Sequence, residues 1–166
     1  MNILFVCSGN VSRSFLAEML LRNEVERLKL KGVSVSSAGL HAHPGSPPDS
    51  KMVEHLLGMG VPVVAHQARV MIEEDVELAD FILVMEKEQA DTIHRLWPAA
   101  KGKVELLGKY LSVGGDGDDI IDPFGKSPYH YRVAQSQITL AVRSLARSLV
   151  SEQSEGRHAQ IKSDRR

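Results

Sequence analysis

The chain has 166 residues, of which 43% are hydrophobic and 25% are charged, and it contains a single cysteine. Its length fits one domain with a sizeable core, and its formal net charge of −1 gives no electrostatic basis for binding nucleic acid or a membrane surface. One cysteine cannot form an internal disulfide, and no apolar stretch approaches the roughly 20 residues of a membrane span. The apolar start of the chain is short and lacks the charged lead of a signal peptide, so we expect a cytoplasmic protein.

Strand and helix patterns alternate along the chain. Continuous apolar runs predict buried strands, the alternating segment Val33-Ser34-Val35-Ser36 predicts a second strand, and apolar residues at helical spacing predict amphipathic helices between the strands. Asp49 is a suitable N-cap for the second helix. The predicted elements, in chain order, are a strand at 2–6, a helix at 15–30, a strand at 33–36, a helix from 49 to 58 or 60, a short helix at 72–78, a strand at 81–84, a helix at 86–96, a strand at 104–107 and a helix at 129–150.

These elements predict a single α/β domain over residues 1–150, in which a four-stranded parallel sheet carries helices on both faces. Ligands of such sheets bind beyond the carboxyl ends of the strands. A loop rich in proline, glycine and histidine covers 41–48, and a loop rich in glycine and aspartate covers 112–127. The polar stretch 151–166 predicts a frayed helix end or a disordered tail.

The most informative segment links the first strand to the first helix and reads Cys7-Ser8-Gly9-Asn10-Val11-Ser12-Arg13-Ser14. The cysteine therefore lies at the carboxyl end of a buried strand, immediately before a helix begins. Backbone N–H groups at a helix N-terminus are unpaired, and the helix dipole favours negative charge there. Because such a site can hold either a phosphate or a thiolate, we predict a phosphate-binding loop with Cys7 as nucleophile. Residues 7–14 are called the phosphate loop below.

Other residues of this loop are suited to holding an anion. Arg13 can fold back and clamp phosphate oxygens with two hydrogen bonds, Gly9 permits a close backbone approach, and Asn10 tolerates a left-handed conformation. The loop amides, the Arg13 guanidinium and a hydroxyl from Ser14 would favour the thiolate, which is the form that attacks phosphorus. The alternative is a buried structural cysteine beside a surface arginine, which the strand–loop–helix context disfavours.

Hydrolysis of a phosphate ester also requires a proton donor for the leaving group. The best candidate is Asp122, which begins the sequence Asp122-Pro123-Phe124-Gly125 in the loop before the last helix. Proline fixes the turn, and Phe124 can wall the pocket and stack on a planar substrate. Taken alone, Asp-Pro indicates a simple turn, and Asp118 and Asp119 are neighbouring rivals, of which Asp119 is the more serious.

The sequence gives no metal-binding pattern. A calcium loop starting at Asp116 would need glycine sixth and glutamate twelfth, where the chain has Ile121 and Ser127. The seven histidines lack the paired spacing of zinc ligands, and we interpret His66 and the two histidines of the 41–48 loop as loop structure. We therefore expect neither a metal nor another cofactor.

Over residues 1–150 the chain resembles the low-molecular-weight protein tyrosine phosphatase family. That family carries V-C-x-G-N-x-C-R-S-P near its N-terminus and D-P-[YF] near its C-terminus, and this chain has similar segments at Cys7 and Asp122. Two further signatures of the family match Ser37-Ala38-Gly39 and His66-Gln67-Ala68-Arg69. All of these segments occur in the order that the family shows.

The resemblance implies a two-step phosphatase mechanism without a metal. Cys7 would attack phosphorus in line, while Arg13 and the loop amides stabilise the equatorial oxygens. Asp122 would protonate the leaving group and then act as base for the water that hydrolyses the phosphocysteine. The substrate would be a phosphorylated protein or a small phosphomonoester, and the enzyme a monomer or weak dimer. The residues expected to surround the substrate or shape the loop are Ser8, Gly9, Asn10, Val11, Ser12, Ser14 and Phe124.

The chain departs from the family pattern within and just after the loop. Ser12 replaces a second cysteine, so Cys7 lacks its usual oxidative partner, and Phe15 replaces proline, with a modest loss of rigidity expected. Val11 stands where tyrosine-directed members tend to have isoleucine and phosphoarginine-directed relatives have threonine. The missing hydroxyl favours phosphotyrosine, and phosphoarginine is the alternative.

Other classes of protein compete with the phosphatase interpretation. Arsenate reductases of the same fold need additional cysteines for their redox relay, and this chain has one. A cysteine phosphocarrier would have no need of Arg13 or Asp122 and would hold a long-lived phosphocysteine. A phosphate-binding module would typically have lost the nucleophile or the acid, and this chain keeps both.

Overall fold

The computed structural model describes residues 1–111 and 117–163, of which 156–163 are described as helix without their side chains, and Asp116 lies outside these ranges. The strands are β1 (Asn2–Cys7), β2 (Ser34–Gly39), β3 (Phe81–Val84) and β4 (Val104–Leu106). The α-helices are α1 (Arg13–Arg27), α2 (Ser50–Gly58), α3 (Glu73–Leu78), α4 (Lys87–Leu96) and α5 (Pro128–Ser163). Short 3₁₀ turns at Pro98–Ala100 and Leu107–Leu111 flank β4.

The strands form one four-stranded parallel sheet in the order β2-β1-β3-β4, which confirms the predicted architecture. β1 pairs with β2 as far as Cys7 opposite Gly39, and with β3 as far as Val6 opposite Val84. The chain therefore places β2 on one side of β1 and later places β3 on the other side of β1. This reversal opens a crevice at the carboxyl end of β1, where Cys7 is the last residue of the strand.

Side chains of β1 alternate between two hydrophobic clusters, one on each face of the sheet. Ile3 and Phe5 pack in a cluster with residues of α1, α2 and α5, whereas Leu4 and Val6 pack with residues of α3 and α4. Because both faces are covered, the strand is apolar at successive positions rather than at alternate ones. The helices on both faces thus agree with the prediction.

The first helix ends earlier than predicted. α1 ends at Arg27 rather than near residue 30, because Lys29 adopts a left-handed conformation with φ of 54°. The Leu30 N–H then donates to the Val25 carbonyl at 3.0 Å, which closes the helix in the pattern that glycine usually provides. A lysine at this position gives no sequence signal for the helix end.

The last helix is longer than predicted. α5 continues to Ser163 instead of ending near residue 150, and the added segment contains no proline to break its backbone hydrogen bonds. The division between a 1–150 domain and a frayed or disordered tail at 151–166 remains a prediction. Within 1–111 and 117–163, no helix combines the length and apolar character needed to cross a membrane.

Candidate active site

The Cys7 thiol lies at the base of the phosphate loop with two hydrogen-bonding groups beside it. The residue is 3% exposed, and its Sγ atom lies 3.0 Å from Ser14 Oγ and accepts the Asn10 backbone N–H at 3.3 Å. Asn10 Nδ2 donates to Ser14 Oγ at 2.9 Å, so the hydroxyl hydrogen of Ser14 is free to point at the sulfur. Both groups can therefore donate hydrogen bonds to the sulfur when it carries a negative charge.

Asn10 shapes the phosphate loop from its buried side. It has the left-handed conformation expected from the sequence, with φ of 55°, and it is fully buried. Besides bonding Ser14, its amide donates to Ser37 Oγ at 2.8 Å, and its Oδ1 accepts the Arg69 backbone N–H at 3.1 Å. Asn10 and Ser14 thus lie behind the loop and support it, rather than on the surface that a substrate meets.

His66 supports the same loop. Its Nε2 atom lies 2.8 Å from the Asn10 carbonyl oxygen and donates to it, because a carbonyl oxygen only accepts. The imidazole also packs against Phe15, with ring centroids 4.8 Å apart, and its Nδ1 lies 3.9 Å from the buried Glu18 carboxylate. His66 therefore belongs to loop structure, as its sequence context predicts.

The Arg13 guanidinium is held in place by oxygen atoms from three residues, which belong to two parts of the chain. Arg13 is the first residue of α1 and is 2% exposed. Its Nη1 donates to the Glu86 carboxylate and, at 2.8 Å, to the Ile120 carbonyl, while Nη2 lies 3.4 Å from Asp122 Oδ2. These contacts fix the guanidinium at a cavity that Cys7 also lines, where its planar donors can meet the oxygens of a tetrahedral anion.

Asp122 is the carboxylate that the structure brings to this site. Its side chain is 46% exposed, Oδ2 faces Arg13, and Oδ1 accepts the Phe124 backbone N–H at 3.2 Å. The rival Asp119 instead accepts the Lys87 backbone N–H at 2.8 Å, at the start of α4. Asp118 packs its backbone carbonyl against Gly108. Of the three acids, Asp122 alone lines the cavity described next.

A cavity of about 580 Å³ opens over the phosphate loop. Cys7 and Arg13 contribute to its inner wall, and Phe124, which is 60% exposed, stands at its rim. Four further residues of the phosphate loop also line the cavity: Ser8, Gly9, Val11 and Ser12. The opposite side comes from the 41–48 loop and the start of α2, with His41, His43, Ser46, Pro47, Pro48, Asp49 and Ser50.

Two polar residues that hold the site were not predicted from the sequence. The Glu86 carboxylate pairs with Arg13, and the buried Gln89 accepts the Met85 backbone N–H at 2.9 Å. The Nε2 atom of Gln89 also lies 3.4 Å from Ser8 Oγ. Both residues follow the carboxyl end of β3, so polar residues placed just after a buried strand are the signal that could have found them.

Gly39 ends β2 where the phosphate loop passes close to it. A Cβ atom built there would lie 2.6 Å from the Ser8 carbonyl oxygen and 3.0 Å from the Asn10 backbone nitrogen. Because backbone atoms cannot rotate away, we expect Gly39→Ala to displace the loop, lower the phosphatase activity that the sequence predicts and reduce the free energy of unfolding by about 1–3 kcal/mol. Urea unfolding and steady-state kinetics measure the two effects. Gly58→Ala is the matched control, since a Cβ there meets nothing within 4 Å, and equal behaviour of the two variants would contradict this account.

Known proteins are similar to this chain in both sequence and fold. Residues 2–155 match the model of the family described as low molecular weight phosphotyrosine protein phosphatase. The chain belongs to this family. The protein-arginine-phosphatase of Geobacillus stearothermophilus is 39% identical over 153 residues, which cover 91% of this chain and 97% of the relative. The low molecular weight protein-tyrosine-phosphatase Etp of Escherichia coli strain K12 is 32% identical over 148 residues, which cover 89% and 94%.

A solved structure of the YwlE arginine phosphatase from Geobacillus stearothermophilus superimposes with a TM-score of 0.82. Its sequence identity is 37%, and the superposition covers 93% of this chain and 96% of that chain. The predicted membership of the low molecular weight phosphatase family is therefore confirmed. Relatives named for phosphotyrosine and for phosphoarginine both occur at substantial identity, so the family alone does not select the phosphoresidue.

Oxidation should distinguish this low molecular weight phosphatase from family members with two loop cysteines. Ser12 donates its hydroxyl to Asp49, and Cys7 has no second thiol in the chain. We expect peroxide to drive Cys7 beyond sulfenic acid to the irreversible sulfinic form, because no disulfide can intercept the oxidation. Activity recovered by dithiothreitol after peroxide treatment measures this, with Ser12→Cys as the comparison. Recovery of the wild type as complete as that of Ser12→Cys would contradict the prediction.

Proposed function

We propose that the chain hydrolyses phosphotyrosine-type monoesters without a metal, through a phosphocysteine formed on Cys7. The observation that carries the proposal is the placement of three groups on one cavity: the Cys7 thiol, the buried Arg13 guanidinium and the Asp122 carboxylate. A nucleophile, an anion clamp and an acid are the groups that a two-step phosphoryl transfer requires. A reducing compartment, such as the cytoplasm, would keep this thiol active.

The first step transfers the phosphoryl group to sulfur. The Cys7 thiolate attacks phosphorus, so that an S–P bond forms while the bond from phosphorus to the leaving oxygen breaks. Arg13 and the backbone N–H groups of the loop stabilise the three equatorial oxygens. Asp122 enters this step protonated and gives its proton to the departing oxygen, which leaves as an alcohol or phenol.

The second step releases phosphate. Asp122, now a carboxylate, accepts a proton from a water molecule as that water attacks phosphorus. The S–P bond breaks, the thiolate is restored, and inorganic phosphate leaves the loop. Ser14 and the Asn10 N–H stabilise the departing thiolate with the same contacts that they make to Sγ in the free protein, at 3.0 and 3.3 Å.

Turnover of p-nitrophenyl phosphate in the presence of EDTA tests this function. Pure wild-type protein should hydrolyse the ester at a rate that EDTA does not change, since every proposed group belongs to the chain. Magnesium and zinc added after EDTA should not raise the rate. Absence of turnover under both conditions, or turnover that depends on the added metal, would contradict the proposal.

Substitution of Val11 can distinguish a preference for phosphotyrosine from a preference for phosphoarginine. Val11 lines the cavity and carries two methyl groups where a threonine would present a hydroxyl. The absent hydroxyl supports phosphotyrosine, whereas the 39% identity to a protein-arginine-phosphatase supports phosphoarginine as a second candidate. We expect wild type to prefer phosphotyrosine, and Val11→Thr to shift the ratio of kcat/KM values towards phosphoarginine. A wild-type preference for phosphoarginine would overturn the first candidate and establish the second.

A further inference from the structure

Asp49 joins the phosphate loop to α2 and α5, although the proposed chemistry makes no use of its carboxylate. Its Oδ1 accepts the Lys51 backbone N–H at 3.0 Å, which confirms it as the N-cap of α2. Its backbone N–H donates to the Val11 carbonyl at 2.9 Å. The second oxygen, Oδ2, accepts the hydroxyl of Ser12 and, at 2.7 Å, the hydroxyl of Tyr131.

The contacts of Oδ2 exceed what helix capping requires. An N-cap uses one side-chain oxygen, and serine or asparagine serves as well as aspartate. Here the other carboxylate oxygen faces the phosphate loop at Ser12 and the first turns of α5 at Tyr131. Asp49 also lines the cavity, so this junction lies beside the place where a substrate binds.

Tyr131 extends the junction to the loop that carries Asp122. The tyrosine is buried, its hydroxyl donates to Asp49, and its backbone N–H donates to the Ser127 carbonyl at 3.3 Å. Burial, then the hydrogen bond to Asp49 and its negative charge, raise the pKa of Tyr131 to about 12, so the hydroxyl keeps its proton at neutral pH. Ser127 lies between the turn that carries Asp122 and the start of α5, so this bond ties Tyr131 to the end of that loop.

The loop of residues 122–125, called the acid loop, buries Pro123 but leaves its two functional side chains partly exposed. Asp122 is 46% exposed and Phe124 is 60% exposed. Transfer of a proton to a leaving group requires the acid to be within hydrogen-bond reach of one particular oxygen. A fixed distance between the acid loop and the phosphate loop is therefore part of what the reaction needs.

Building on the proposed phosphatase function, we propose that Asp49 and Tyr131 are positioning residues that couple the phosphate loop to the acid loop. Asp49 holds the nucleophile side through Ser12 and Val11. Tyr131 holds the acid side through the first turn of α5, which begins three residues after the acid loop ends. The coupling places Asp122 against the leaving oxygen of a phosphoryl group bound over Cys7. Loss of either residue should weaken protonation of the leaving group more than binding of the phosphoryl group.

Leaving-group dependence tests this role, because a merely structural residue would slow all substrates alike. Tyr131→Phe keeps the aromatic ring and removes the hydroxyl, and Asp49→Ser keeps an N-cap while giving up the carboxylate. We expect each variant to lower kcat/KM for phenyl phosphate by about 10-fold and that for p-nitrophenyl phosphate by less than about 3-fold, since nitrophenolate needs little protonation. Inhibition of Tyr131→Phe by inorganic phosphate should match wild type.

Tyr110→Phe is the matched control. The Tyr110 hydroxyl also donates to a carboxylate, that of Glu105 at 3.1 Å, but it lies away from the cavity. This variant should leave the kinetics of both substrates unchanged. Equal losses of Tyr131→Phe on the two substrates, or no loss on either, would overturn the positioning role.

A double variant tests whether Tyr131 acts through Asp122, as a question separate from whether the protein is a phosphatase. If Tyr131 acts through Asp122, then adding Tyr131→Phe to Asp122→Ala should cause no further loss on phenyl phosphate. A further 10-fold loss in the double variant would show that Tyr131 acts elsewhere and would overturn the inference. An inactive wild type would instead contradict the phosphatase function itself. Thermal unfolding of Tyr131→Phe, expected to stay cooperative, confirms that the kinetics report a folded protein.

Discussion

Replacing Cys7 by serine is expected to lower turnover of p-nitrophenyl phosphate by about 10⁴-fold or more. The serine hydroxyl is not ionised at neutral pH, and no histidine or other base contacts this position in the described part of the chain to activate it. The surrounding donors, Ser14 and the Asn10 N–H, stay in place, so the loss reflects the nucleophile rather than the loop. Steady-state kinetics of the purified variant measure it.

Phosphate binding controls for the integrity of Cys7→Ser. Arg13 and the loop amides remain, so inorganic phosphate should bind the variant with an affinity similar to that of wild type, as measured by titration calorimetry. A variant that binds phosphate but turns over nothing would place the defect in the chemical step. Activity of Cys7→Ser within 10-fold of wild type would mean that another group attacks phosphorus.

Replacing Asp122 by alanine is expected to produce the second largest loss, and the loss should depend on the leaving group. We expect kcat/KM to fall by about 10²–10³-fold for phenyl phosphate and by much less for p-nitrophenyl phosphate. Phenolate is a stronger base than nitrophenolate, so it needs a proton in the transition state, and of the three candidate acids in the 112–127 loop Asp122 is the one that lines the cavity. A plot of kcat/KM against leaving-group pKa for a series of aryl phosphates measures the effect.

Asp119→Ala is the matched control for Asp122→Ala. The Asp119 carboxylate accepts the Lys87 N–H at the start of α4, so its removal should reduce stability and leave the leaving-group dependence unchanged. Equal losses across the series in Asp122→Ala, together with a steep dependence in Asp119→Ala, would assign the acid to Asp119 instead.

The fold could be predicted because its two central strands are buried on both faces. Continuous apolar runs indicated β1 and β3, an alternating valine–serine segment indicated β2, and the short run at 104–107 indicated β4. The alternation of strands with helices then favoured parallel pairing. The ends of helices were harder to predict. Lys29 closes α1 in a left-handed conformation that its residue type does not signal, and the polar sequence after residue 150 continues as helix.

The contiguous part of the site could be predicted for a different reason. Cys7 and Arg13 belong to one loop, and a short segment between a strand and a helix has few ways to present backbone amides to an anion. Glu86 and Tyr131 reach the site from distant elements, and their contacts exist only after the sheet and α5 have assembled. Nothing local to either residue indicates its partner.

The sequence predicted only one of the two sets of contacts that the Asp49 carboxylate makes. The sequence context of Asp49 indicated the N-cap of α2, and the structure confirms that contact through Oδ1. The second oxygen bonds Ser12 and Tyr131, which come from the phosphate loop and α5. The local sequence pattern therefore revealed the N-cap contact, whereas the contacts to Ser12 and Tyr131 appear only in the tertiary structure.

The central claim is that a phosphoryl group passes through the sulfur of Cys7. Rapid quenching of the protein with a fast-leaving aryl phosphate, followed by peptide mapping with mass spectrometry, tests it most directly. We predict a phosphoryl group on the peptide that contains Cys7, formed at the rate of the nitrophenol burst and lost at the rate of phosphate release. Phosphate release with no label on Cys7, a label on another residue, or a label on Cys7 that outlasts turnover would contradict this account.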